Sequence, residues 1–519
     1  MGASEASILA VLIVASFSVF LVDAVSAGIH NRVFIGADGQ WANDQLQYLA
    51  WATDAGHHGL IANLYAFHLG DHVFLHPVWL LTGLLHVDPG LSYSLLMALW
   101  KLVALLALFA VLRSYARSIL GTGTRAVAVA MLIALFMVSP SYLIVNRLNL
   151  GGSGLINLET FAVYWINGYF PIALAVAAMI GFLLQVPALV AVDGSSERSR
   201  RHPMLIASAA GLTASWLHPW QGMTLIAIVA GLVLWERPSW RRQSRLLAPV
   251  MATAAPLVYY AVLPRVDSGW AQSQDTTASN WGSYGLAAIV ITLLPIVILT
   301  LPGYAMRAQS TAERMLKLWP IAIVAVYILA PSDKFHAIGG YSVPAALLMV
   351  RGWPWLREHL QRWPGSRAST LAVAGIVVAV VVAPVAVAKR AIGFNTGNQR
   401  DAQIPRDDAR ALGRIAASPL TGGVLTTGQI GAWVPAITDR PTWTGHPTWT
   451  PGFNARNRRV ATLFGGALDG HPGLESRFVL STGAAFVLEP CGWHASLGRA
   501  LLPAGFTATG IGCATLYWR

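Results

Sequence analysis

Long apolar runs alternate with short polar loops along most of the chain, and this pattern predicts the fold. A helix that crosses the hydrocarbon core needs about 20 mostly apolar residues, and fewer when it is packed inside a bundle. The runs therefore predict about eleven membrane-spanning helices. They cover residues 7–27, 90–112, 126–146, 170–192, 203–217, 220–235, 246–263, 284–305, 316–331, 339–350 and 369–388.

The composition agrees with a membrane protein. Of the 519 residues, 55% are hydrophobic and 11% are charged, with a mean hydropathy of +0.55, whereas soluble domains are about 25% charged. The net charge of +12 does not indicate nucleic-acid binding, because most Arg and Lys residues lie in short loops between apolar runs. We therefore expect membrane lipids as partners and no nucleic acid.

The distribution of arginine predicts the orientation. Arginines crowd alternate loops, such as the one that holds Arg113, Arg117 and Arg125, and such loops face the cytoplasm. The first run looks like a signal peptide ending at Ala27, but no Lys or Arg precedes it, which favours an uncleaved anchor. We predict a polytopic α-helical domain at 1–388 in the plasma membrane, with a cytoplasmic N-terminus and a long first external loop at 28–89. An extracytoplasmic α/β domain follows at 389–519.

The C-terminal segment alternates helical and strand-like patterns between Gly and Pro breaks. Asp407–Ala417 has helical spacing with acidic residues at its start, whereas Gly423–Thr427, Arg477–Leu488 and Thr507–Trp518 predict strands. Both cysteines of the chain, Cys491 and Cys513, fall here. An extracytoplasmic location permits a disulfide between them, and two buried free thiols are the alternative.

Loop one, residues 28–89, holds most of the predicted chemistry. Trp41–Ala55 has aromatic residues at near-helical spacing and predicts a helix in the membrane interface. Asp44 and Tyr48 are four residues apart and share a face of that helix. Two interpretations stay open: a solvated loop whose histidines cap turns, or a site with a general base and polar substrate contacts. The other titratable residues are Asp38, Asp54, His57, His58, His68, Asp71, His72 and His76.

The histidines raise the question of a metal site. His68, His72 and His76 recur every four residues, a spacing at which helical histidines can bind zinc. No accompanying ligand set is evident beside them. We therefore predict no metal and no other cofactor, with a divalent cation as the alternative.

Three basic side chains fall in other external loops. His218 precedes Pro219 between two apolar runs, where it is either a turn residue or a ligand group. Lys334 and His336 follow another span. Lys334 is a cation in a predicted external loop, whereas most Arg and Lys residues of the chain lie in predicted cytoplasmic loops. It either pairs with Asp333 or binds a lipid phosphate at the membrane interface.

Several motifs together resemble one superfamily. Asp44 and Tyr48 follow the first span, and Phe74-Leu75-His76-Pro77 comes before the second. The C-terminal segment holds Val434-Pro435-Ala436-Ile437-Thr438-Asp439-Arg440, then Thr444-Gly445-His446 and Thr450-Pro451. This layout resembles the GT-C glycosyltransferases, membrane enzymes that take a sugar from a polyprenyl-phosphate carrier. Many members have an Asp–Glu pair in loop one, whereas Gln45 follows Asp44 here.

The resemblance implies an inverting transfer of a hexosyl or pentosyl group to an extracytoplasmic glycan, lipid or protein acceptor in the cell envelope. Asp44 would be the general base, with Asp38 as the second choice. Lys334, His336 and His218 would hold the donor phosphate, because basic residues can stabilise a phosphate leaving group without metal. The implied substrate contacts are Tyr48, His57, His76 and His446.

Two functions of other classes compete with this one. A transporter or flippase of a lipid-linked sugar needs a polar pathway, but ionisable residues inside the predicted spans are nearly absent apart from Lys101. A non-enzymatic membrane scaffold would not need acidic and histidine residues gathered in loop one.

Overall fold

The computed structural model is mostly helical. It describes residues 2–38, 41–68, 70–139, 141, 159–166, 168–191, 197–281, 286–330, 333–362, 367–397, 402–468, 470–493 and 497–519. In chain order the helices are Ala3–Ile29, Ala42–His58, Pro77–Val87, Tyr93–Leu120, Thr124–Phe136, Ala162–Trp165, Phe170–Val190, Glu197–Leu217, Pro219–Glu236, Trp240–Val266, Ser268–Trp281, Leu286–Ala305, Thr311–Leu329, Ser342–Gln361, Arg367–Val377, Ala383–Thr396, Arg406–Ala416, Gly428–Thr438, Phe453–Phe464, Pro472–Thr482 and Gly498–Leu501, with a 3-10 helix at Lys334–Ile338 and a π segment at Val378–Val382.

Each predicted apolar run contains a helix, but in several runs the helix is shorter than predicted; residues 137–139 and 141 of the run 126–146, for example, are not helical. The end of the run 126–146 lies outside the described residues, beyond the helix Thr124–Phe136. Within the described part of the chain, seven helices have the length and apolar composition to cross a bilayer, so the protein is an integral membrane protein. The total of eleven spans stays a prediction. The seven are Ala3–Ile29, Tyr93–Leu120, Phe170–Val190, Pro219–Glu236, Trp240–Val266, Ala287–Ala305 and Val373–Thr396.

These helices expose apolar side chains on their outer faces. Val103 in Tyr93–Leu120, Val258 in Trp240–Val266 and Leu294 in Leu286–Ala305 are all exposed. Such exposure would be unfavourable in water, but lipid tails are as apolar as these side chains. The helix is also one of the few structures that satisfies its own backbone hydrogen bonds in the bilayer.

The chain divides into two compact units. Unit 1 comprises Met1–Val19, Trp100–Ala261 and Trp281–Arg390, and unit 2 comprises Phe20–Leu99, Val262–Asn280 and Ala391–Arg519. Unit 2 therefore contains loop one together with the C-terminal segment. The predicted domain boundary at 388/389 lies close to Arg390, but all of loop one, 28–89, groups with the C-terminal residues.

The strands lie in unit 2 and form two sheets. Strands β1 (Arg32–Val33) and β2 (Ile404–Pro405) pair antiparallel and join loop one to the C-terminal segment. The larger sheet has the order β3-β4-β6-β5, with β3 parallel to β4 and the other pairs antiparallel. Its strands are β3 (Val424–Leu425), β4 (Phe486–Glu489), β5 (Thr507–Ile511) and β6 (Ala514–Trp518).

Strand β4 is buried on both faces. Successive side chains of a strand point to opposite faces, so Phe486 and Leu488 enter one hydrophobic cluster while Val487 enters another. The first cluster also contains Leu46 of loop one and Trp433 of the helix Gly428–Thr438. The C-terminal segment is thus an α/β unit whose core includes part of loop one.

Two predicted strands differ from the structure. The predicted strand Arg477–Leu488 is wrong over its first half, because Pro472–Thr482 is a helix with Pro at its start and Gly483 in the left-handed conformation at its end. These are strong helix start and stop signals. The predicted strand Thr507–Trp518 is a hairpin of β5 and β6, with Gly512 at positive φ in the turn.

A disulfide joins Cys491 and Cys513, which decides the alternative left open by the sequence. Both cysteines are hydrogen-bonded to the first turn of the helix Arg406–Ala416. Asp408 Oδ1 accepts the backbone N–H of Cys491 at 3.0 Å, and Asp407 Oδ2 accepts that of Cys513 at 3.0 Å. The two carboxylates therefore anchor the disulfide to the helix.

We expect the Asp408 carboxylate to make stability depend on pH. Burial raises the pKa of Asp408 to about 6, although the Cys491 N–H and Arg32 oppose the rise. The folded protein therefore binds more protons than the unfolded chain between about pH 4 and 6, and its stability falls as the pH rises through this window. Asp408→Asn keeps an acceptor for the Cys491 N–H and should raise the melting temperature above pH 6. The corresponding gain in unfolding free energy is at most about 3 kcal/mol.

The control is Asp275→Asn, which removes an exposed carboxylate from another helix of unit 2. Thermal melts at pH 4 and 7.5 measure the effect. A melting temperature of Asp408→Asn below that of the wild type at pH 7.5 would contradict the expectation.

Candidate active site

The loop-one helix, Ala42–His58, positions the first functional group. Asp44 lies in its first turn, where the unpaired backbone N–H groups favour a negative charge. Asp44 Oδ1 lies 3.1 Å from His446 Nε2; the Asp44 side chain is 39% exposed and that of His446 only 5%. The arrangement is an accessible carboxylate held by a buried imidazole.

The backbone near His446 selects the tautomer of its ring. The Thr448 N–H donates to His446 Nδ1 at 3.2 Å, so Nδ1 acts as an acceptor. A neutral ring then carries its proton on Nε2 and donates to Asp44. Tyr65 packs against this ring with centroids 5.6 Å apart, and burial together with the Asp44 charge raises the pKa of Tyr65. The phenol therefore stays neutral beside the carboxylate.

The Gln45 side chain makes two hydrogen bonds to the backbone of Asp38. The Asp38 N–H donates to Gln45 Oε1 at 3.0 Å, while Gln45 Nε2 donates to the Asp38 carbonyl. An ionised Glu at position 45 could accept but not donate, which gives the Gln at this position a physical reason. The Asp38 side chain is buried, so Asp44 is the more accessible of the two predicted carboxylates.

Aromatic rings surround the same helix. The Tyr48 ring, one turn after Asp44, stacks on the Trp79 ring with centroids 4.9 Å apart. The His76 ring also stacks on Trp79, with centroids 5.7 Å apart, so the three rings form one group. A second group consists of Trp51, Trp270 and Trp449, whose centroids lie 5.1 to 6.5 Å apart. Two of the four predicted substrate contacts, Tyr48 and His76, thus belong to packed aromatic clusters in unit 2.

The end of the loop-one helix carries a separate group of titratable side chains. His57 Nδ1 lies 3.0 Å from Asp439 Oδ2, which places the predicted substrate contact His57 in this group. Asp54 Oδ1 lies 2.8 Å from His58 Nδ1 and 2.9 Å from His72 Nε2. Burial and the Asp54 charge raise the pKa of Asp439 to about 6, against the attraction of the three histidines.

Unit 1 contains the predicted phosphate-binding residues. His218 directly precedes the helix Pro219–Glu236, and its ring contacts Gln221, which donates to the Gly339 carbonyl at 3.0 Å. The rings of His218 and His336 lie 5.1 Å apart. Lys334 is exposed at the start of the 3-10 helix that carries His336. These three residues are therefore grouped on two neighbouring segments.

Glu159 completes this group, and the sequence analysis missed it. Its carboxylate is buried, and Oε1 lies 2.7 Å from His336 Nδ1. In the sequence it is a single acidic residue between Leu158 and Thr160, which by itself does not indicate a site. The oxygen and imidazole donors of Glu159, His218 and His336 lie within 4.8 Å of one another, so by their chemistry they could hold a divalent cation.

The predicted residues thus divide between the units. Asp38, Asp44, Tyr48, His57, His76 and His446 lie in unit 2, whereas His218, Lys334 and His336 lie in unit 1. The contact of Asp44 with His446 and that of His218 with His336 are each internal to one unit. The roles of all nine residues stay predictions.

The fold resembles those of solved membrane glycosyltransferases. No protein-family model and no curated protein sequence matches the chain. The apo oligosaccharyltransferase of Archaeoglobus fulgidus aligns with a TM-score of 0.53 and 12% identity over 93% of this chain and 69% of its own. The arabinofuranosyltransferase AftD from Mycobacteria aligns with a TM-score of 0.52 and 14% identity over 99% of this chain and 39% of its own. The chain therefore has the fold of the GT-C membrane glycosyltransferases.

Proposed function

We propose that the protein transfers a hexosyl or pentosyl group from a polyprenyl-phosphate donor to an extracytoplasmic glycan, lipid or protein acceptor, with inversion at the anomeric carbon. The observation that carries the proposal is the accessible Asp44 carboxylate held by His446 at 3.1 Å. It is a positioned base in the helix where the family resemblance implies one.

The proposed reaction uses this geometry. The Asp44 carboxylate accepts the proton of an acceptor hydroxyl, and the hydroxyl oxygen forms a bond to the anomeric carbon as the bond to the donor phosphate breaks. The phosphate leaves with the electron pair of that bond. His446 donates to Asp44 and keeps the carboxylate oriented while its exposed part faces the acceptor. A positioned base of this kind contributes typically about 10² to 10⁴ in rate.

Lys334, His336 and His218 are proposed to bind the donor phosphate. Glu159 holds the His336 ring at 2.7 Å and so fixes its orientation, which reduces the reorganisation needed when charge develops on the leaving group. Lys334 is exposed and adds a cation at the membrane interface. The proposal assigns no cofactor to the transfer step.

The solved structures support the class of substrates in general terms. The A. fulgidus oligosaccharyltransferase has been solved tethered to an acceptor peptide that contains the NVT sequon, at a TM-score of 0.52 to this chain. This supports keeping a peptide among the acceptor classes, and the arabinofuranosyltransferase supports a pentosyl donor. The extracytoplasmic location of loop one and of residues 389–519 rests on the arginine distribution.

The function is tested with full-length protein in detergent. It is given radiolabelled polyprenyl-phosphate sugars, hexosyl and pentosyl, with a panel of glycan, lipid and peptide acceptors, and Asp44→Asn is the matched control. An enzyme converts donor to product in a single compartment, whereas a transporter or a scaffold leaves the donor intact. Binding of the labelled donor without conversion by any member of the panel would favour the transporter.

A further inference from the structure

We propose that Asp54, His58, His72 and Asp439 bind a Zn²⁺ ion that ties loop one to the C-terminal segment of unit 2. This inference is independent of the proposed transfer reaction. Asp54 lies ten residues after Asp44 in one continuous helix, which is a rise of about 15 Å. The zinc site is therefore separate from the proposed general base.

The donor atoms converge from three segments. His58 Nδ1 and His72 Nε2 lie 2.8 and 2.9 Å from the same oxygen, Asp54 Oδ1, and Asp439 Oδ2 lies 3.8 Å from His58 Nδ1. Tetrahedral zinc with bonds of about 2.0 to 2.1 Å needs ligand atoms about 3.3 Å apart. The donor atoms of Asp54, His58 and His72 all lie within 4.8 Å of one another, so these three can converge on one ion. Asp439 is the more distant fourth ligand, and its side chain moves towards them when the ion binds.

The burial and hydrogen bonding of the Asp54 and Asp439 carboxylates suit them to bind a cation. The Asp54 side chain is buried, and its Oδ2 accepts the Ala62 N–H at 2.6 Å. This bond fixes the carboxylate and directs Oδ1 towards the two histidines, as outer partners of metal ligands commonly do. Asp439 ends the helix Gly428–Thr438 in the left-handed conformation, with φ of 54°. Asp439 Oδ1 is buried with no hydrogen-bond partner among the described residues.

In the described part of the chain, no Lys or Arg forms an ion pair with either carboxylate. Among the described residues, the ion pairs of Asp54 and Asp439 are all with histidines. The adjacent Arg440 instead donates to the carbonyls of Leu420 and Ser418. Two imidazole nitrogens with two carboxylate oxygens are a zinc donor set, whereas Ca²⁺ and Mg²⁺ prefer oxygen ligands alone.

The zinc content of the purified full-length protein tests the proposal. The protein is expressed with zinc and purified through a tag without histidine, and metal is measured by mass spectrometry. Glu159, His218 and His336 could also hold a cation, so the readout is the difference in zinc content from the wild type. We expect His471→Ala, an exposed histidine of unit 2 outside the cluster, to hold as much Zn²⁺ as the wild type, and His72→Ala and Asp54→Asn to hold about one Zn²⁺ per chain less. Wild-type zinc content in both His72→Ala and Asp54→Asn, or no zinc in the wild type, would overturn the proposal.

Thermal stability gives a second readout, and its first comparison uses the wild type alone. Because zinc binds the folded site, added Zn²⁺ should raise the melting temperature of metal-stripped wild type in a concentration-dependent way, and chelator should lower it. His72 is 40% exposed, so His72→Ala should fold, and its melting temperature should respond less than that of the wild type to zinc and to chelator. Identical zinc responses in wild type and His72→Ala would show that the cluster is only a hydrogen-bonded network.

Discussion

Asp44→Asn is expected to reduce sugar transfer by about two to four orders of magnitude, because the amide cannot accept the proton of the acceptor hydroxyl. The amide has the size of the carboxylate and can still accept a hydrogen bond from His446 Nε2, which lies 3.1 Å from the carboxylate oxygen. The fold should therefore survive, and the melting temperature should change little. The measurement is the turnover number with saturating donor and acceptor, and donor binding should remain near the wild-type value.

Asp38→Asn is the matched control for this prediction. Asp38 is buried, and Gln45 holds its backbone at both the N–H and the carbonyl, so the substitution should affect stability more than turnover. Near-normal turnover of Asp44→Asn together with a dead Asp38→Asn would move the base to Asp38. Should neither substitution slow transfer, the glycosyltransferase proposal fails.

Lys334→Ala is expected to reduce transfer by about two to three orders of magnitude, the typical cost of losing one preorganised group that stabilises charge in the transition state. The side chain is exposed, and the alanine variant should fold as the wild type does. A phosphate contact stabilises the leaving group more than the bound donor, so turnover should fall more than the donor KM rises. Steady-state kinetics with varied donor concentration measure both constants.

Lys389→Ala is the matched control, since it removes another exposed lysine, one outside the proposed phosphate group. It should retain wild-type kinetics, and Lys334→Arg should recover part of the lost rate because it restores the charge. Normal turnover and donor KM in Lys334→Ala would mean that Lys334 has only a structural role, such as pairing with Asp333.

The membrane character and the helices could be predicted from the sequence because hydropathy and helical spacing are local properties. The loop-one helix was predicted at Trp41–Ala55 and is found at Ala42–His58. The structure buries most of this helix against other segments, including Leu46 in the core of the C-terminal sheet. Local spacing predicts a helix, but it does not distinguish a face that lies on lipid from one that packs on a distant segment.

The sequence alone determined the class of the protein, namely a polytopic helical membrane fold with an α/β segment at its C-terminus. Only the tertiary structure decided which polar groups meet. Asp44 and His446 are separated by 402 positions, and His336 and Glu159 by 177. The Asp439 contact with His57 and His58 likewise joins loop one to the C-terminal segment. Such contacts depend on how remote elements pack, and hydropathy and helical spacing report only on residues within a few turns of one another.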